Sequence, residues 1–377
     1  MKKVLFLQMK SNTFGGIWFV DKTLGNGFVK EGYDVKLIGI RKNHPGVELD
    51  DALFEIDTIN DVDNWEITRK KDVLYSIKKI KFVRTLIKYI YEHIKLNCDY
   101  KKCKKNIKNY NPDFIIASHY QLLDAIPKEY LKRTIHVQHS SVEFMITDKK
   151  NVRTLKKYQY KIYKLVWLSN TIKDQALNLG FNNSICIYNP VKFSTERRAD
   201  VVKNKKITVI SRIDSEKRID LMIEIVNDVF KKYGHKDWKF EIYGAGKFNN
   251  ASKKILEQND QIVYKGVTYD PLPILLNSSL TLNTSLYEGY PLSIIEGFAC
   301  GLPVISFNYS DTASEQIIDN YNGFLIKMDD IESYKNKLNL LLTNNDLLEE
   351  LSINSKEFSK KFELNNILNE WIKLINR

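Results

Sequence analysis

Two glutamates, Glu288 and Glu296, stand eight positions apart at the ends of the stretch "EGYPLSIIE". Pro291 between them suits the first position of a helix, where no intrahelical hydrogen bond is lost. Leu292 and Ser293 then offer free amides at the positive end of the helix dipole, which is a seat for an anion. The two carboxylates would accept hydrogen bonds from hydroxyl groups on either side of that anion. This pattern fits a nucleotide sugar, in which a diphosphate joins a ribose to a hexose.

The alternative interpretation of the two glutamates is structural. Glu288 would then only complement the helix dipole, and Glu296 would be an ordinary surface residue. Glu296 argues against this because it falls in the otherwise apolar run "PLSIIEGFACGLPVI". A buried carboxylate is costly unless it is hydrogen-bonded. The functional interpretation therefore explains the position of Glu296 better.

Two cations, Arg212 and Lys217, lie in the segment "SRIDSEKRID" directly after a predicted strand. A guanidinium binds phosphate oxygens in a bidentate manner, and an ammonium acts as a point charge, so the pair suits a diphosphate. The alternative is a solvated loop in which the arginine forms a salt bridge with Asp214 or Glu216.

A pair of glycines, Gly15 and Gly16, separates the first predicted strand from the first helix. Glycine lets backbone amides approach a ligand closely, and the helix N-terminus favours an anion. The loop is not G-x-G-x-x-G, and no acidic residue clearly ends the second strand near Gly39, so a nicotinamide cofactor is unsupported. A tight turn without a ligand is the alternative.

The elements that must position these residues alternate between short apolar runs and helical patterns, which is typical of parallel sheets covered by helices. The predicted fold class is α/β, with two Rossmann-like domains meeting near residues 190–204. Ligands of such sheets lie beyond the carboxyl ends of the strands, so we expect the site in a cleft between the domains. The predicted strands are 4–8, 34–40, "PDFIIASH", "TIHVQH", 165–169, 184–191, 205–212, 261–267, 280–285 and 303–308, with a further strand and its glycine turn at 238–246. The clearest helices are 17–31 and 218–234.

Charge and composition narrow the function class. The 377-residue chain has a net charge of +12, and residues 70–108 hold thirteen Lys/Arg against three acids. Residues 73–97 interleave these lysines with apolar residues at helical spacing, which fits an anionic membrane surface; an ordinary surface helix is the alternative. Without an accompanying motif, nucleic acid is not an expected partner. The four cysteines lack C-x-x-C spacing, which indicates reduced thiols in a cytoplasmic protein. The "DVD" at 61–63 lacks a supporting strand, so we expect no metal site.

The stretch around Glu288 resembles the E-x7-E signature of the retaining glycosyltransferase family 4. The resemblance extends over nearly the whole chain through "GGIWFVDKTLGNGFVKEGYDVKLI", "SRIDSEKRIDLMIE", "YGAGKF", "CGLPVISFN" and "YNGFLI". It implies the GT-B fold, with an acceptor-side domain at 1–189, a nucleotide-sugar domain at 190–360, and a C-terminal helix at 361–377 that crosses back to the first domain.

The resemblance also implies roles for individual residues. Arg212 and Lys217 would hold the donor diphosphate, and Lys217 would stabilise the leaving group. Glu288 would contact the donor sugar and Glu296 the ribose. The remaining donor contacts implied are Gly15 and Gly16 near the diphosphate or the acceptor, Gly244 in the nucleotide-side turn, and the backbone of Gly289, Tyr290, Pro291, Leu292 and Ser293.

A functional histidine is also implied, because the family often carries one after a strand of the first domain. His119 in "DFIIASHY" stands one position later than the family pattern, and His139 ends the next strand. Either could hydrogen-bond the donor sugar or the acceptor, and core packing is the alternative for both. His136 is expected to pack. The chain departs from the family at Ser211 in place of glycine, at Gly297 in place of alanine, and before Glu315, where the usual glycine-rich turn is missing.

The expected function is therefore a retaining glycosyltransferase that moves a hexose or N-acetylhexosamine from a nucleotide sugar, with UDP favoured. The expected acceptor is a glycan, a lipid-linked sugar or a teichoic-acid-type polymer, and no cofactor is expected because the protein's own cations replace a metal. Two alternatives stay open: a nucleotide-sugar epimerase on the same fold, and a catalytically silent glycan-binding partner of a transferase.

Overall fold

A computed structural model describes residues 1–11, 15–42, 52–60 and 81–377, with residues 81–95 as helical backbone. The chain divides into two compact units. The first unit comprises Met1–Leu168, Lys173–Ile187 and Leu368–Arg377, and the second comprises Ser169–Ile172 and Tyr188–Ile367.

The first unit is a seven-stranded parallel sheet in the order β3-β2-β1-β4-β5-β6-β7, covered by helices. Its elements are β1 (Lys3–Ser11), α1 (Gly16–Lys30), β2 (Asp34–Lys42), β3 (Glu55–Asn60), α2 (Lys81–Tyr110), β4 (Phe114–Ala117), β5 (Thr134–Gln138), α3 (Val142–Thr147), α4 (Lys149–Tyr158), β6 (Lys164–Trp167), α5 (Asn170–Asn178), whose first three residues are grouped with the second unit, and β7 (Ser184–Cys186). Two 3₁₀ turns, Tyr120–Ala125 and Lys128–Arg133, join β4 to β5.

The middle of β1, residues 4–7, and all of β4 are apolar because both faces of these central strands are covered. Phe6 of β1 stands in register with Leu37 on one side and Ile116 on the other, and all three side chains are fully buried. The edge strand β3 was not predicted, since four of the six residues in its sequence "EIDTIN" are polar. It carries Glu55 and Asp57, whose carboxylates lie 3.0 and 2.7 Å from the Lys36 ammonium.

The predicted strand at 184–191 was too long. The strand ends at Cys186, and from Tyr188 onward the chain belongs to the second unit. Pro190 has no amide to continue a ladder. The amide of Val191 instead donates to the Phe362 carbonyl of the second unit at 2.8 Å.

The second unit is a six-stranded parallel sheet in the order β10-β9-β8-β11-β12-β13. Its elements are α6 (Val201–Asn204), β8 (Lys206–Ile210), α7 (Ile219–Tyr233), β9 (Lys239–Tyr243), α8 (Asn250–Gln258), β10 (Ile262–Gly266), α9 (Pro271–Leu276), β11 (Leu280–Asn283), α10 (Leu292–Ala299), β12 (Val304–Phe307), α11 (Ala313–Gln316), β13 (Gly323–Ile326), α12 (Ile331–Thr343) and α13 (Asn345–Ser359), and α14 (Leu364–Ile375) runs into the segment grouped with the first unit.

The order of strands in the second unit explains where its functional loops lie. β8 and β11 are neighbours although 69 residues (211–279) separate them in the sequence, because the chain first forms β9 and β10 on the other side of β8 and then returns. Their following loops therefore meet at the carboxyl edge of the sheet. The α/β class with two Rossmann-like units is confirmed; β13 was not among the predicted strands.

Two expectations from the sequence fall largely outside the described residues. Residues 73–80 and the side chains of 81–95 are not described, and neither is the "DVD" at 61–63. Within the ranges that are described, no helix combines the length and apolarity needed to cross a bilayer. The same ranges contain no group of three or more His, Cys, Asp or Glu side chains arranged to hold a metal ion.

Candidate functional site

The centre of the site in the second unit is a contact between Lys217 and Glu288. Lys217 precedes α7 in the loop that follows β8, and Glu288 lies in the loop that follows β11. The Lys217 ammonium donates a hydrogen bond to Glu288 Oε1, and the two side chains are only 16% and 13% exposed. An ammonium has three N–H donors and a carboxylate has two oxygens, so both groups keep capacity for a ligand.

Neighbouring hydroxyl groups hold this pair in place. Ser285 Oγ lies 2.7 Å from Glu288 Oε1 and 2.7 Å from Asn283 Oδ1. Thr284 Oγ1 donates to the Lys217 carbonyl at 2.9 Å, which ties the two loops together. The positions of the ammonium and the carboxylate are therefore set by the fold before any ligand arrives.

Arg212 lies in the same loop but makes different contacts. Its guanidinium lies 2.5 Å from Asp214 Oδ2 and 2.9 Å from Glu216 Oε2, and its side chain is 62% exposed. Glu216 also accepts a hydrogen bond from the Tyr287 hydroxyl at 2.9 Å. The alternative given by the sequence, a salt bridge to Asp214 or Glu216, is thus what the structure contains. A phosphate would have to compete with the carboxylates of Asp214 and Glu216 for the Arg212 guanidinium, so diphosphate binding by Arg212 stays a prediction.

The helix between the glutamates begins one residue later than predicted. Pro291 is the N-cap, with φ −65° and ψ 122°, and Leu292 is the first helical residue. The extended ψ keeps Pro291 out of the helix, and its carbonyl accepts from the Gln316 side-chain amide at 2.9 Å. Within the described part of the chain, the amides of Leu292 and Ser293 have no acceptor. The free amides predicted at the helix mouth are therefore present, shifted by one residue, and anion binding by them stays a prediction.

Glu296 is the fifth residue of α10, and its carboxylate is partly buried. Burial raises its pKa from the ordinary 4.5 to about 7, against the opposing charge of Lys192. No described residue hydrogen-bonds the carboxylate. A half-buried carboxylate without a donor from the described residues can accept a hydrogen bond from a ligand hydroxyl.

Gly244 lies in the turn after β9 and packs against the Arg212 loop. Its φ is +147°, and a Cβ at this position would lie 1.7 Å from the Ser211 carbonyl oxygen. Glycine is therefore required here by the close approach of two backbones. This explains the glycine without a ligand, and contact with the donor stays a prediction. Gly289 and Tyr290 complete the loop before Pro291, and Tyr290 is buried.

The predicted histidines belong to the first unit, where both follow the carboxyl ends of neighbouring strands β4 and β5. His119 is half-buried and stacks on the Tyr120 ring, with centroids 4.6 Å apart. Its Nδ1 accepts from the Gln121 amide at 3.2 Å, and burial lowers its pKa. The ring is thus neutral and carries its proton on Nε2, which makes it a hydrogen-bond donor.

His139 has a buried ring nitrogen, Nε2, without a hydrogen-bond partner among the described residues. Burial, with smaller effects of His136 and His119, lowers its pKa to about 3. His136 is fully buried and its Nδ1 lies 2.9 Å from the Ala117 carbonyl oxygen, so it packs in the core. Burial thus favours the neutral form of both rings, and ligand binding by His119 or His139 stays a prediction.

Gly15 and Gly16 form the start of α1, and the loop residues 12–14 before them lie outside the described residues. Gly15 is the N-cap and Gly16 the first helical residue. One turn and a half further on, the sequence reasoning missed a buried acid, Asp21. Its Oδ2 accepts from Gln8 Nε2 at 2.5 Å and from Ser118 Oγ at 2.7 Å. Burial raises the pKa of Asp21 to about 6.

A cavity of about 370 Å³ in the first unit is distinct from these groups. It is lined by Lys132, Tyr160, Ile162, Tyr163, Asn182 and Asn183. These residues precede β5, β6 and β7, so the cavity lies at the amino edge of the sheet, opposite the two histidines. It has no part in the candidate site.

Comparison with known proteins bears on the class of this enzyme. Residues 192–358 match the family model described as glycosyl transferases group 1. An uncharacterized glycosyltransferase of Haemophilus influenzae is 28% identical over 98% of this chain and 99% of its own length. The poly(ribitol-phosphate) alpha-N-acetylglucosaminyltransferase of Staphylococcus aureus is 34% identical, over 52% of this chain and 38% of its own length.

Solved structures agree on the fold. The crystal structure of TarM superposes with a TM-score of 0.75 at 19% identity, covering 100% of this chain and 99% of that one. The Anabaena Alr3699/HepE structure in complex with UDP and glucose gives a TM-score of 0.75 at 14% identity, with both chains covered completely. At these identities the likeness establishes the fold. Together with the matched domain, it defines a glycosyltransferase of the GT-B fold.

Proposed function

We propose that the protein is a retaining glycosyltransferase that moves a hexose or N-acetylhexosamine from a UDP-linked sugar to a cell-surface polymer or a lipid-linked acceptor. The observation that carries this proposal is the contact between Lys217 and Glu288 beside the free amides of Leu292 and Ser293. A cation and a carboxylate lie in contact four residues before a helix N-terminus with free amides, and this combination suits an anionic leaving group joined to a sugar.

In this proposal each residue has one role. Lys217 and the helix amides stabilise the diphosphate as its bond to the sugar breaks, and Arg212 contributes once a phosphate shares its carboxylate partners. The free oxygen of Glu288 accepts from a sugar hydroxyl, and Glu296 accepts from the ribose. The leaving phosphate takes the acceptor's proton on the same face of the sugar, which retains the anomeric configuration.

The choice of donor and acceptor draws on the relatives' names. The Staphylococcus aureus relative is named for transfer of N-acetylglucosamine to poly(ribitol phosphate). A Bacillus subtilis relative, 26% identical over 46% of this chain and 26% of its own length, is named a poly(glycerol-phosphate) alpha-glucosyltransferase. A structural neighbour was solved with UDP-glucose. These names support a UDP-sugar and a polyol-phosphate or polysaccharide acceptor.

The test is transfer by the purified protein. UDP release is measured with UDP-glucose, UDP-N-acetylglucosamine and UDP-galactose, with GDP-mannose as the donor control and poly(ribitol phosphate) or poly(glycerol phosphate) as acceptor. Product analysis by NMR gives the anomeric configuration. We expect an alpha-linked product from one UDP-sugar, and loss of transfer in Lys217→Ala but not in the exposed control Lys253→Ala. A beta-linked product contradicts retention, and no transfer to any acceptor contradicts the substrate proposal.

Incubation with UDP-N-acetylglucosamine alone tests the epimerase alternative, which the relatives' transferase names do not favour. Formation of an epimer without any acceptor would replace the transferase proposal. Transfer by the isolated chain excludes a silent glycan-binding role.

We also propose a cytoplasmic location with peripheral contact between residues 73–97 and an anionic membrane. Its support is the spacing of basic and apolar residues in the sequence. Charge reversal at Lys78, Lys79 and Lys81 is expected to weaken vesicle binding, and unchanged binding would contradict this contact.

A further inference from the structure

Helices α3 and α4 of the first unit expose a surface that the proposed transfer chemistry does not use. On α3, Phe144 and Ile146 are each 49% exposed. A single residue, Asp148, joins α3 to α4, whose outward side is basic. The α3–α4 surface is defined here as Phe144, Ile146, Lys149, Lys150, Arg153, Lys156 and Lys157, all of them exposed.

The orientation of α4 follows from its buried residues. Asn151, Thr154, Leu155 and Tyr158 are buried and recur at helical spacing along one side. The basic residues occupy the positions between them, so they face away from the core. α4 is thus an amphipathic helix whose solvent side carries only cations among its charged residues.

The acidic side chains near this surface are already engaged. Glu143 accepts from Gln175 Nε2 at 3.0 Å. Asp148 caps α4 through the Lys150 amide at 3.0 Å and accepts from the Tyr120 hydroxyl at 2.7 Å. Lys157 pairs with an acid outside the surface, Asp124, at 3.0 Å.

The other four cations of the surface have no salt-bridge partner within the described residues: Lys149, Lys150, Arg153 and Lys156. The α3–α4 surface therefore carries a net positive charge beside two exposed apolar side chains, since Glu143, Asp148 and Asp124 offset only part of its five cations.

The surface adjoins the edge of the sheet where the candidate histidines lie. α3 begins four residues after Gln138, the last residue of β5, so it starts at the carboxyl edge. The hydrogen bond from Tyr120 to Asp148 links the start of α4 to the residue on which His119 stacks. Whatever binds the α3–α4 surface is thus held next to His119.

We propose that the α3–α4 surface docks the protein on a bilayer that contains anionic lipid. Lysine and arginine near such a bilayer each strengthen binding about fivefold. Phe144 and Ile146 would enter the boundary between headgroups and acyl chains, as the apolar side of an interfacial helix does. A soluble polyanion would satisfy the cations but offers the two apolar side chains nothing, which favours the membrane as the occupant.

The docking proposal itself does not depend on the proposed function; only its consequence for sugar transfer rests on that function. Docking here would hold the sheet edge that carries His119 close to the headgroup layer, where the sugar of a lipid-linked acceptor lies. The docking itself is a binding event and needs no turnover.

The experiment is flotation of the full-length protein with vesicles of phosphatidylcholine and phosphatidylglycerol in a 7:3 ratio, or of phosphatidylcholine alone, at about 0.1 M salt. One test variant reverses charge, Lys149→Glu/Lys150→Glu/Arg153→Glu, and the other removes the apolar contact, Phe144→Ser/Ile146→Ser. The matched controls are Lys231→Glu/Lys232→Glu/Lys236→Glu and Ile353→Ser, which make comparable changes at exposed positions of the second unit.

We expect wild type and both controls to float with the anionic vesicles, and each test variant to bind at least about tenfold more weakly. Equal loss in the Lys231 control would show a general effect of charge and overturn the proposal. Unchanged binding in both test variants would place docking elsewhere, for example at residues 73–97, and also overturn it. Loss in the charge variant alone would show that Phe144 and Ile146 do not enter the bilayer, contrary to the proposal.

UDP release from the donor in solution, measured on the same samples, separates the two proposals. Flotation without UDP release would contradict the proposed function and leave the docking surface intact. UDP release without flotation would support the proposed function and overturn the docking proposal.

Discussion

The Lys217 ammonium donates a hydrogen bond to the Glu288 carboxylate across two loops that follow the neighbouring strands β8 and β11. The pair leaves two ammonium N–H groups and one carboxylate oxygen for a ligand. Such a pair can hold the diphosphate with one member and the sugar with the other. A charged pair that is preorganised in this way needs little rearrangement when negative charge develops on the leaving group.

The first prediction concerns this pair. Lys217→Ala should lower kcat by about 10²–10³, because one preorganised cation at the leaving group is lost. It should also lower the free energy of unfolding by about 1–3 kcal/mol, because the mostly buried Glu288 carboxylate loses a hydrogen-bond donor. Initial rates of UDP release and urea unfolding measure the two effects. Lys253→Ala on the exposed side of α8 is the control, and normal turnover in Lys217→Ala would contradict the role.

The second prediction is a pH dependence that arises from Glu296. Burial raises the pKa of Glu296 from 4.5 to about 7 in the folded protein. The folded state therefore favours the protonated form, and its stability falls as the pH rises from about 4.5 through 7. Glu296→Gln stays neutral and should gain about 1–3 kcal/mol of stability relative to wild type at pH 8, with little difference at pH 4.5.

Urea unfolding of wild type and Glu296→Gln at the two pH values measures this gain. An equal difference between the proteins at both pH values would show that Glu296 does not titrate in this range. UDP binding by isothermal calorimetry adds a functional check. If the ribose hydroxyls donate to Glu296, they favour its carboxylate form, so binding near pH 7 should release protons in wild type and not in Glu296→Gln.

The loops of the second unit could be predicted from the sequence because their spacing is local. Arg212 and Lys217 follow one apolar strand and Glu288 follows another, so the parallel sheet alone brings them to one edge. The exact helix start could not be predicted, since the ψ of Pro291 depends on Gln316, which lies 25 positions away. The carboxylate partners of Arg212 were foreseen only as an alternative, because sequence cannot decide between a ligand and a salt bridge.

Asp21 shows a second limit of prediction from the sequence, which is that contacts distant in the sequence are not visible in it. Its partners Gln8 and Ser118 lie 13 and 97 positions away, and only the folded sheet brings them to α1. The available signal was an acid on the side of α1 that also carries the buried Trp18 and Leu24. Edge strand β3 was missed for a related reason: its polar residues pair with Lys36 rather than with a hydrophobic core.

The third prediction is that Asp21 holds the carboxyl edge of the first sheet together. Asp21→Ala would leave Gln8 Nε2 and Ser118 Oγ buried without an acceptor. Removal of the carboxylate would also remove the energetic cost of burying it, which offsets part of this loss. The free energy of unfolding should fall by about 2–3 kcal/mol at pH 7. Urea unfolding measures it, with the exposed Asp174→Ala as the control at less than about 0.5 kcal/mol. A loss no larger than the control's would mean that the Asp21 contacts are dispensable.

The fourth prediction concerns Gly244, where backbone packing alone requires glycine. Gly244→Ala would place a Cβ 1.7 Å from the Ser211 carbonyl oxygen at a φ of +147°. The Arg212 loop would have to move, so we expect a loss of at least about 3 kcal/mol and weaker UDP binding together. Gly234 also has a positive φ, +72°, but has no atom within 4 Å of a Cβ. Gly234→Ala at the end of α7 should therefore cost only about 1 kcal/mol, without an effect on UDP binding. Thermal unfolding and calorimetric titration with UDP compare the two variants. Similar losses in both would mean that the positive φ, and not the approach to Ser211, sets the cost.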